Sequence, residues 1–377
     1  MKLMGRILEG IRVLDLTHFM AGPFCTILLA DMGAEVIKIE PLWGEALRMS
    51  PPAYRGLATN FAFLNRNKKG MTLNLKSKRG VEIFEALTKK SDVVIENFTP
   101  GTMDRLGLGY DRLKEINPKV VYVSVSGFGQ SGPYANRPSF DIIAQSMSGI
   151  ASLTGAQVGR PVYTADYLGD SVPALYATIS VLAALYYRSV TGRGQKIDVA
   201  QLDCMISILP SVVSYLLAGE TTPQSRRKYH MGVYGIFKAA DSYLAVAAPL
   251  GAILDRLARI VGVQEVDATT FERWVGDKPV AEVIEKLTGA EVPVGPVLSI
   301  DQVVSDPHVL SREMIVEVDH PQAGRIKVNG FPIKFSETPG RVELAPPLLG
   351  QNNEQILREV LGLSTGEVVK LREEKVI

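Results

Sequence analysis

One carboxylate stands out in this chain by its setting. Asp170 lies in Gly169-Asp170-Ser171, at the head of a segment that carries no charge until Arg188 and ends in Thr191-Gly192-Arg193-Gly194-Gln195. An acidic side chain at a helix start can cap the free N–H groups there, and the helix dipole favours its ionised form. An ionised carboxylate is also a nucleophile toward a thioester carbonyl, giving an acyl anhydride. The two roles are compatible, and residue types alone leave both open.

Other motifs carry less. Gly127-Phe-Gly-Gln-Ser-Gly132 has the spacing of a dinucleotide loop and follows a β-branched run. That fingerprint needs a helix opening at its glycines, and Pro133, Asn136 and Pro138 make a loop instead. Gly107-Leu-Gly109-Tyr110 lacks a third glycine and reads as a turn. The histidines at 18, 230, 308 and 320 have no Gly-x-Ser-x-Gly partner motif. Asn97 and Phe98 pair an amide with a ring at the end of an apolar run, either a polar turn beside a core aromatic or a ligand contact. Lys68, Lys69 and Lys76 flank another such run. Lysines there are ordinarily solvated, unless a phosphate-rich ligand employs them.

These residues need a frame. Runs at Ile11–Leu16, Glu35–Ile39, Met71–Leu75, Asp92–Glu96 and 119–126 read as strands, with helical patterns at Pro23–Met32 and 79–89 between them. Such alternation predicts an α/β fold around an open, largely parallel, doubly wound sheet. Ligands bind beyond the carboxyl ends of such strands, which points to the segments after Leu16 and Glu96. Two long apolar helices are expected at 171–187 and 200–218, a linker at Pro223–Arg227, and shorter mixed elements from Gly232 to Pro321. An amphipathic helix at Glu354–Leu361 is expected to pack back on the first domain.

With 377 residues the chain has room for two domains. With 41 basic and 40 acidic residues, a net charge of +1 gives no electrostatic case for nucleic acid or an anionic membrane. The apolar run 170–188 is slightly short for a membrane span and is expected as a buried helix. Cys25 and Cys204 cannot form a disulfide framework and read as buried thiols of a cytoplasmic protein. Histidine and cysteine show no metal-ligand spacing.

The chain resembles the family III CoA transferases, which include formyl-CoA transferase, carnitine CoA-transferase and α-methylacyl-CoA racemase. The resemblance rests on Leu8-Glu-Gly-Ile-Arg-Val-Leu-Asp-Leu-Thr-His18, Ala21-Gly-Pro23, Leu29 to Glu40, Asn67-Lys68, Asp92 to Phe98, Pro100-Gly101, Leu106-Gly107 and Thr191 to Gln195. It continues through Val294-Gly-Pro-Val297, Asp306-Pro307, Pro332 to Ser336, Ala345-Pro346 and Leu349-Gly-Gln351. It implies an open Rossmann-like large domain from residues 1–222 and 329–377, a smaller α+β domain at 223–328, and an interlocked homodimer. It implies Asp170 as nucleophile, with Asp141 assisting. Coenzyme A is expected along His18, Phe19, Met20 and Ala21, with Leu73, Lys76, Asn97, Phe98, Arg105 and Arg137. The implied reaction passes an acyl-CoA donor and a carboxylic acid acceptor through an aspartyl-acyl anhydride and an aspartyl-CoA thioester. Coenzyme A is substrate, and no permanent cofactor or metal is expected.

The departures are informative. The family's racemases carry a histidine just before the acid that opens Asp141-Ile-Ile-Ala; here Phe140 stands there, and it moves no proton. Formyl-CoA transferase has a glycine run where this chain has His230 to Gly235, and a glutamine where it has Met20. This argues against the oxalate/formate pair. An acyl-CoA racemase and a non-catalytic CoA-binding protein are the alternative readings.

Overall fold

The computed structural model describes residues 5–156, 158–224 and 232–377. Strands β1 (Arg12–Asp15), β2 (Glu35–Glu40), β3 (Ala53–Tyr54), β4 (Leu57–Ala58), β5 (Lys68–Thr72), β6 (Val93–Glu96), β7 (Val121–Ser126) and β8 (Lys196–Ala200) come from the first half of the chain. Six of them form one sheet in the order β5-β2-β1-β6-β7-β8, with every pair parallel. β3 and β4 make a separate hairpin. The order reverses between β1 and β6, so the loops after these strands diverge and leave a crevice.

The central strands are apolar on both sides because helices cover both faces. Val13, Val93, Ile95, Val121 and Val123 point to one face and meet helices Ala21–Asp31 and Leu168–Thr191 through Ile27, Leu28, Ala177 and Val181. Leu14, Ile37, Ile39, Val94 and Tyr122 point to the other. There they meet Ile83, Phe84 and Leu87 of helix Lys78–Thr88 and the C-terminal helices through Ile356, Leu357, Val368 and Leu371. The tail helix expected from its amphipathic pattern is Asn353–Glu359. It is tied to β5 by Asn352 and Asn353, whose Oδ1 atoms accept from Gly70 N and Thr72 N at 2.9 and 2.8 Å.

Three sequence expectations need correction. The third strand of the sheet begins at Lys68, not Met71, because the Lys68 ammonium is buried against Asp15 at 2.9 Å rather than solvated. A sixth strand, β8, was missed; it lies at the sheet edge, so Lys196 and Asp198 point outward and blur the apolar pattern. The apolar stretch 200–218 is not one helix. It follows β8 as Gln201–Ser207 and resumes as Pro210–Ala218, since proline is tolerated at a helix start but not inside one.

The chain forms two compact units, residues 1–209 with 311–377, and residues 210–310. The second contains the antiparallel strands β9 (Val233–Lys238), β10 (Tyr243–Ala248) and β11 (Val294–Pro296), with three helices packed over Phe237, Leu244, Phe271 and Leu287. The hairpin β12 (Ile315–His320) and β13 (Gly324–Asn329) groups with the larger unit, where Val318, Ile326 and Val328 pack on Leu57 and Phe61. Residues 225–227 of the expected linker lie outside the described residues.

The uncharged run expected to fall short of a membrane span is part of a 24-residue helix, Leu168–Thr191, long and apolar enough to cross one by length and composition. One face of it is buried on the sheet through Val172, Ala174, Ala177, Val181 and Ala184. Gly192, at φ +72°, ends it, and its N–H closes on the Arg188 carbonyl at 2.8 Å. A Cβ at Gly194 would fall 1.9 Å from the Val120 carbonyl. The glycines of 191–195 thus stop the helix and admit the chain to the sheet beside β7. The helix and β8 then form a crossover whose outer ends, Asp170 and Gln201, meet at the carboxyl edge of the sheet.

Candidate active site

The loop after β1 forms one wall of the crevice, and side chains hold the backbone of Thr17, His18 and Phe19 within it. Thr17 donates through N and Oγ1 to Asp15 Oδ1, at 2.9 and 2.5 Å. Its carbonyl accepts from Lys38 Nζ at 2.9 Å. His18 N donates to Asn97 Oδ1 at 2.8 Å, and Asn97 Nδ2 donates to the His18 carbonyl at 2.7 Å. Phe19 N donates to Glu45 Oε2 at 3.0 Å. Phe19 sits at φ +59°, a left-handed conformation that is costly for a bulky residue and persists only where its surroundings impose it. The clamps on either side impose it here. Asn97 spends its amide on the His18 backbone, so its first role is to set the loop. The His18 ring meets Phe98 edge-on at 5.5 Å. Burial, then the Lys38 charge, hold its imidazole below its ordinary pKa.

Beneath the loop lies a fully buried charge network. Lys38 pairs with Glu45 at 2.7 Å, and Lys68 is held by Asp15, Asn65 Oδ1 and the Pro23 carbonyl at 2.9, 3.0 and 3.2 Å. Burial alone would raise the Asp15 carboxyl, but the Lys68 and Lys38 charges outweigh it and hold the group well below the carboxylate range. Lysines 38 and 68 therefore support the loop from inside rather than facing a ligand.

Asp170 forms the opposite wall. It is not the cap of its helix. The cap position is Tyr167, in a left-handed conformation and without a side-chain cap bond, which makes Asp170 the third helical residue. Its Oδ1 accepts from the side-chain amide of Gln201. The free helical N–H of Gly169 is taken by Asp141 Oδ1 at 2.6 Å. Asp141 opens helix Asp141–Met147 and is held through both oxygens by buried Gln145 Nε2, at 3.0 and 2.9 Å. Gln145 Oε1 in turn accepts from Thr164 N at 2.8 Å.

This arrangement reverses the expectation that the helix start keeps Asp170 charged. Burial first, then the adjacent Asp141 carboxylate, push its pKa up to about 7, and the Gln201 bond only partly offsets them. A group poised near neutrality inside a crevice has the signature of a functional residue.

Two glycines make the contacts possible. A Cβ on Gly169 would lie 2.5 Å from the Asp141 carbonyl, and one on Gly127 would lie 2.2 Å from Ser139 Cβ. Gly127 begins the motif that resembled a dinucleotide loop. Its glycines open no helix; Gly129 and Gly132, at φ +85° and +95°, turn the chain toward Ser139. Ser139 Oγ donates to Gln201 Oε1 at 2.9 Å. Gly169→Ala is expected to part Asp141 from the helix start and destabilise the fold by about 1–3 kcal/mol. Thermal unfolding at fixed pH checks this.

The crevice between the walls encloses about 240 Å³. Phe19, Met20, Ala21, Asn97, Phe98, Arg137 and Asp170, all named from the sequence, line it together with Phe140 and Gln201. The Phe19 and Phe140 rings meet edge-on at 5.7 Å, and the Arg137 guanidinium lies over the Tyr134 ring at 3.9 Å. Lys76 and Arg105 line a different cavity, of about 540 Å³, with Ser77 and Lys78. The Leu73 side chain lies in the core under the sheet. Sequence reasoning missed Gln201, Ser139 and Gln145. Gln201 was hidden inside a run assigned to an apolar helix, and the sole signal was one amide among Val199, Ala200 and Leu202. His230 and Met231 lie outside the described residues, and no metal-ligand cluster occurs among the described ones.

Comparison with known proteins identifies the family. The model of "CoA-transferase family III" matches residues 8–353. A formyl-CoA:oxalate CoA-transferase of Streptomyces coelicolor is 36% identical over 99% of this chain and 99% of its own length. A succinyl-CoA:glutarate CoA-transferase of Mus musculus is 35% identical over 97% of this chain and 88% of its own. The crystal structure of a CAIB/BAIF family protein from Brucella suis superposes with a TM-score of 0.83 at 29% identity, covering 95% of this chain and 100% of that one. With a nearly full-length family match and relatives above one-third identity, the chain belongs to CoA-transferase family III and is a CoA-transferase that moves CoA between an acyl-CoA and a carboxylate.

Proposed function

We propose that transfer runs through Asp170. The carboxylate attacks the donor thioester through Oδ2, on which no protein hydrogen bond falls among the described residues, and expels CoA thiolate. The thiolate then attacks Asp170 Cγ, releases the donor acid and forms the aspartyl-CoA thioester. The acceptor carboxylate displaces CoA from that thioester, and CoA recovers the new acyl group from the second anhydride. Each step exchanges one activated carbonyl for another. The observation that carries this reading is a buried carboxylate, oriented by Gln201 and poised near neutrality, at the head of a crevice lined by Phe19, Met20, Ala21, Asn97 and Phe98.

CoA is proposed to enter along His18 to Ala21, with Arg137 near the reacting end and Lys76 and Arg105, beside Leu73, meeting phosphate. Asp141 serves as a positioning residue for the helix start. The relatives' names suggest short-chain acyl donors and small carboxylic acid acceptors. Racemisation is disfavoured because Phe140, at the crevice wall, moves no proton. A homodimer accounts for the exposed stripe Leu175, Ile179, Tyr186 and Val190 on the long helix, which a lone chain would leave in water. A reducing, cytoplasmic setting suits two buried free thiols.

The test is mass spectrometry after incubation with a panel of acyl-CoAs, where a CoA adduct on Asp170 is expected before acceptor is added. No adduct with any donor that supports turnover overturns the reading. The nucleophile must be ionised, so kcat/KM for the donor is expected to fall about tenfold per pH unit below a midpoint near pH 7. A profile flat down to pH 5 contradicts Asp170 as the attacking group.

A further inference from the structure

We propose that Gln201 is a catalytic residue whose side-chain amide stabilises the oxyanion formed on Asp170 itself. The inference rests on the aspartyl route above and assigns one of its parts. Gln201 Nε2 donates to Asp170 Oδ1, while its Oε1 accepts from Ser139 Oγ at 2.9 Å. A carboxylate oxygen only accepts and a hydroxyl can donate, so this pair of contacts fixes which end of the amide faces Asp170. Gln201 is 6% exposed, and an N–H donor in so dry a place acts at high strength.

The chemistry gives this donor a specific task. When Oδ2 attacks the donor thioester, the oxyanion forms on the donor's own carbonyl, out of reach of a group bound to Oδ1. The two inner steps differ. When CoA thiolate attacks Cγ of the anhydride, the Cγ=Oδ1 electron pair moves onto Oδ1. The negative charge develops on the atom Gln201 already holds. It collapses back as the Cγ–Oδ2 bond breaks and the donor acid leaves as a carboxylate. When the acceptor carboxylate attacks Cγ of the thioester, Oδ1 again takes the charge and CoA thiolate leaves. A donor placed on Oδ1 before reaction, and turned by Ser139, needs no rearrangement in either step. The crossover fold explains its origin: the first residue after β8 and the first turn of the preceding helix meet at one edge of the sheet. Gly127 leaves room for Ser139 to reach it.

Gln201→Met keeps the volume and removes the donor. With a donor acyl-CoA and no acceptor, rapid-quench mass spectrometry is expected to show the aspartyl-CoA adduct forming about 100- to 1,000-fold more slowly than in the unaltered enzyme. CoA affinity by calorimetry is expected to change less than about threefold, since the substitution removes no proposed CoA contact. The acidic limb of kcat/KM is expected to move to higher pH, because the lost bond favours the ionised form. Ser139→Ala, which leaves Asp170 and Gln201 in place, is expected to slow the same step about three- to tenfold by freeing the amide to turn. Adduct formation at the unaltered rate in Gln201→Met, with the enzyme folded and binding CoA, overturns the assignment while leaving Asp170 as nucleophile. Absence of the adduct in the unaltered enzyme defeats the aspartyl route itself, so the two failures are distinguishable.

Discussion

Asp170→Ala is expected to lower CoA transfer by about four to six orders of magnitude, the loss typical of removing a covalent nucleophile. CoA binding should survive, because the residues proposed to hold it lie on the segments that follow β1, β5, β6 and β7 rather than on the long helix. A transfer assay beside calorimetric CoA titration reads both, and transfer within tenfold of the unaltered enzyme would exclude the aspartyl route. The companion Asp170→Asn carries a stability signature of the opposite sign. The folded carboxyl titrates near pH 7, above its ordinary value of 3.8. Below both values the group is protonated in folded and unfolded chains alike. As pH rises between them the unfolded chain loses its proton first, so folding stability declines through that window and the cost is complete above pH 7. Asp170→Asn escapes the cost, and is expected to be stabilised at pH 8 on the order of 4 kcal/mol and much less near pH 4. Urea unfolding at the two pH values checks it. The site thus holds a carboxylate in a place that disfavours it, as expected where function and stability compete.

Lys68→Met is expected to cost about 3–5 kcal/mol, because it leaves the buried Asp15 carboxylate without its closest positive partner. The double variant Asp15→Asn/Lys68→Met removes the stranded charge and is expected to recover part of that loss. Denaturant midpoints at constant m-value separate the two outcomes. The same network holds the Thr17–Phe19 backbone through Asp15, Lys38 and Glu45. Raised KM for acyl-CoA in the single variant, ahead of any loss of kcat, is the expected functional trace. An equal stability of the two variants would show that the stranded Asp15 charge is not the source of the loss.

The alternation of short β-branched runs with helical patterns was enough to place an open parallel sheet. Hydrophobic periodicity is a local property, and each strand or helix displays it in its own few residues. The prominence of Asp170 was equally local, since it heads an apolar run whose end is marked by Gly192 and Gly194. Charged residues inside the sheet could not be read this way. Lys68 begins β5, yet a lysine reads as solvated until Asp15, 53 positions away, is seen beside it. β8 escaped notice for the same reason, its outward Lys196 and Asp198 breaking the pattern at a sheet edge.

By itself, then, the order of residues determined the open parallel sheet through β7, the helices over its faces, and which carboxylate heads the long helix. Only the tertiary structure decided the state of that carboxylate. The local rule for a helix start predicts an ionised group, and it is overruled by burial and by Asp141, 29 positions earlier in the chain. It also decided Asp170's partner: Gln201 is 31 positions away and reaches Asp170 because a parallel crossover returns the chain to the same edge of the sheet. Desolvation and charge–charge coupling depend on distance in space, and sequence spacing does not record that distance until the fold is made.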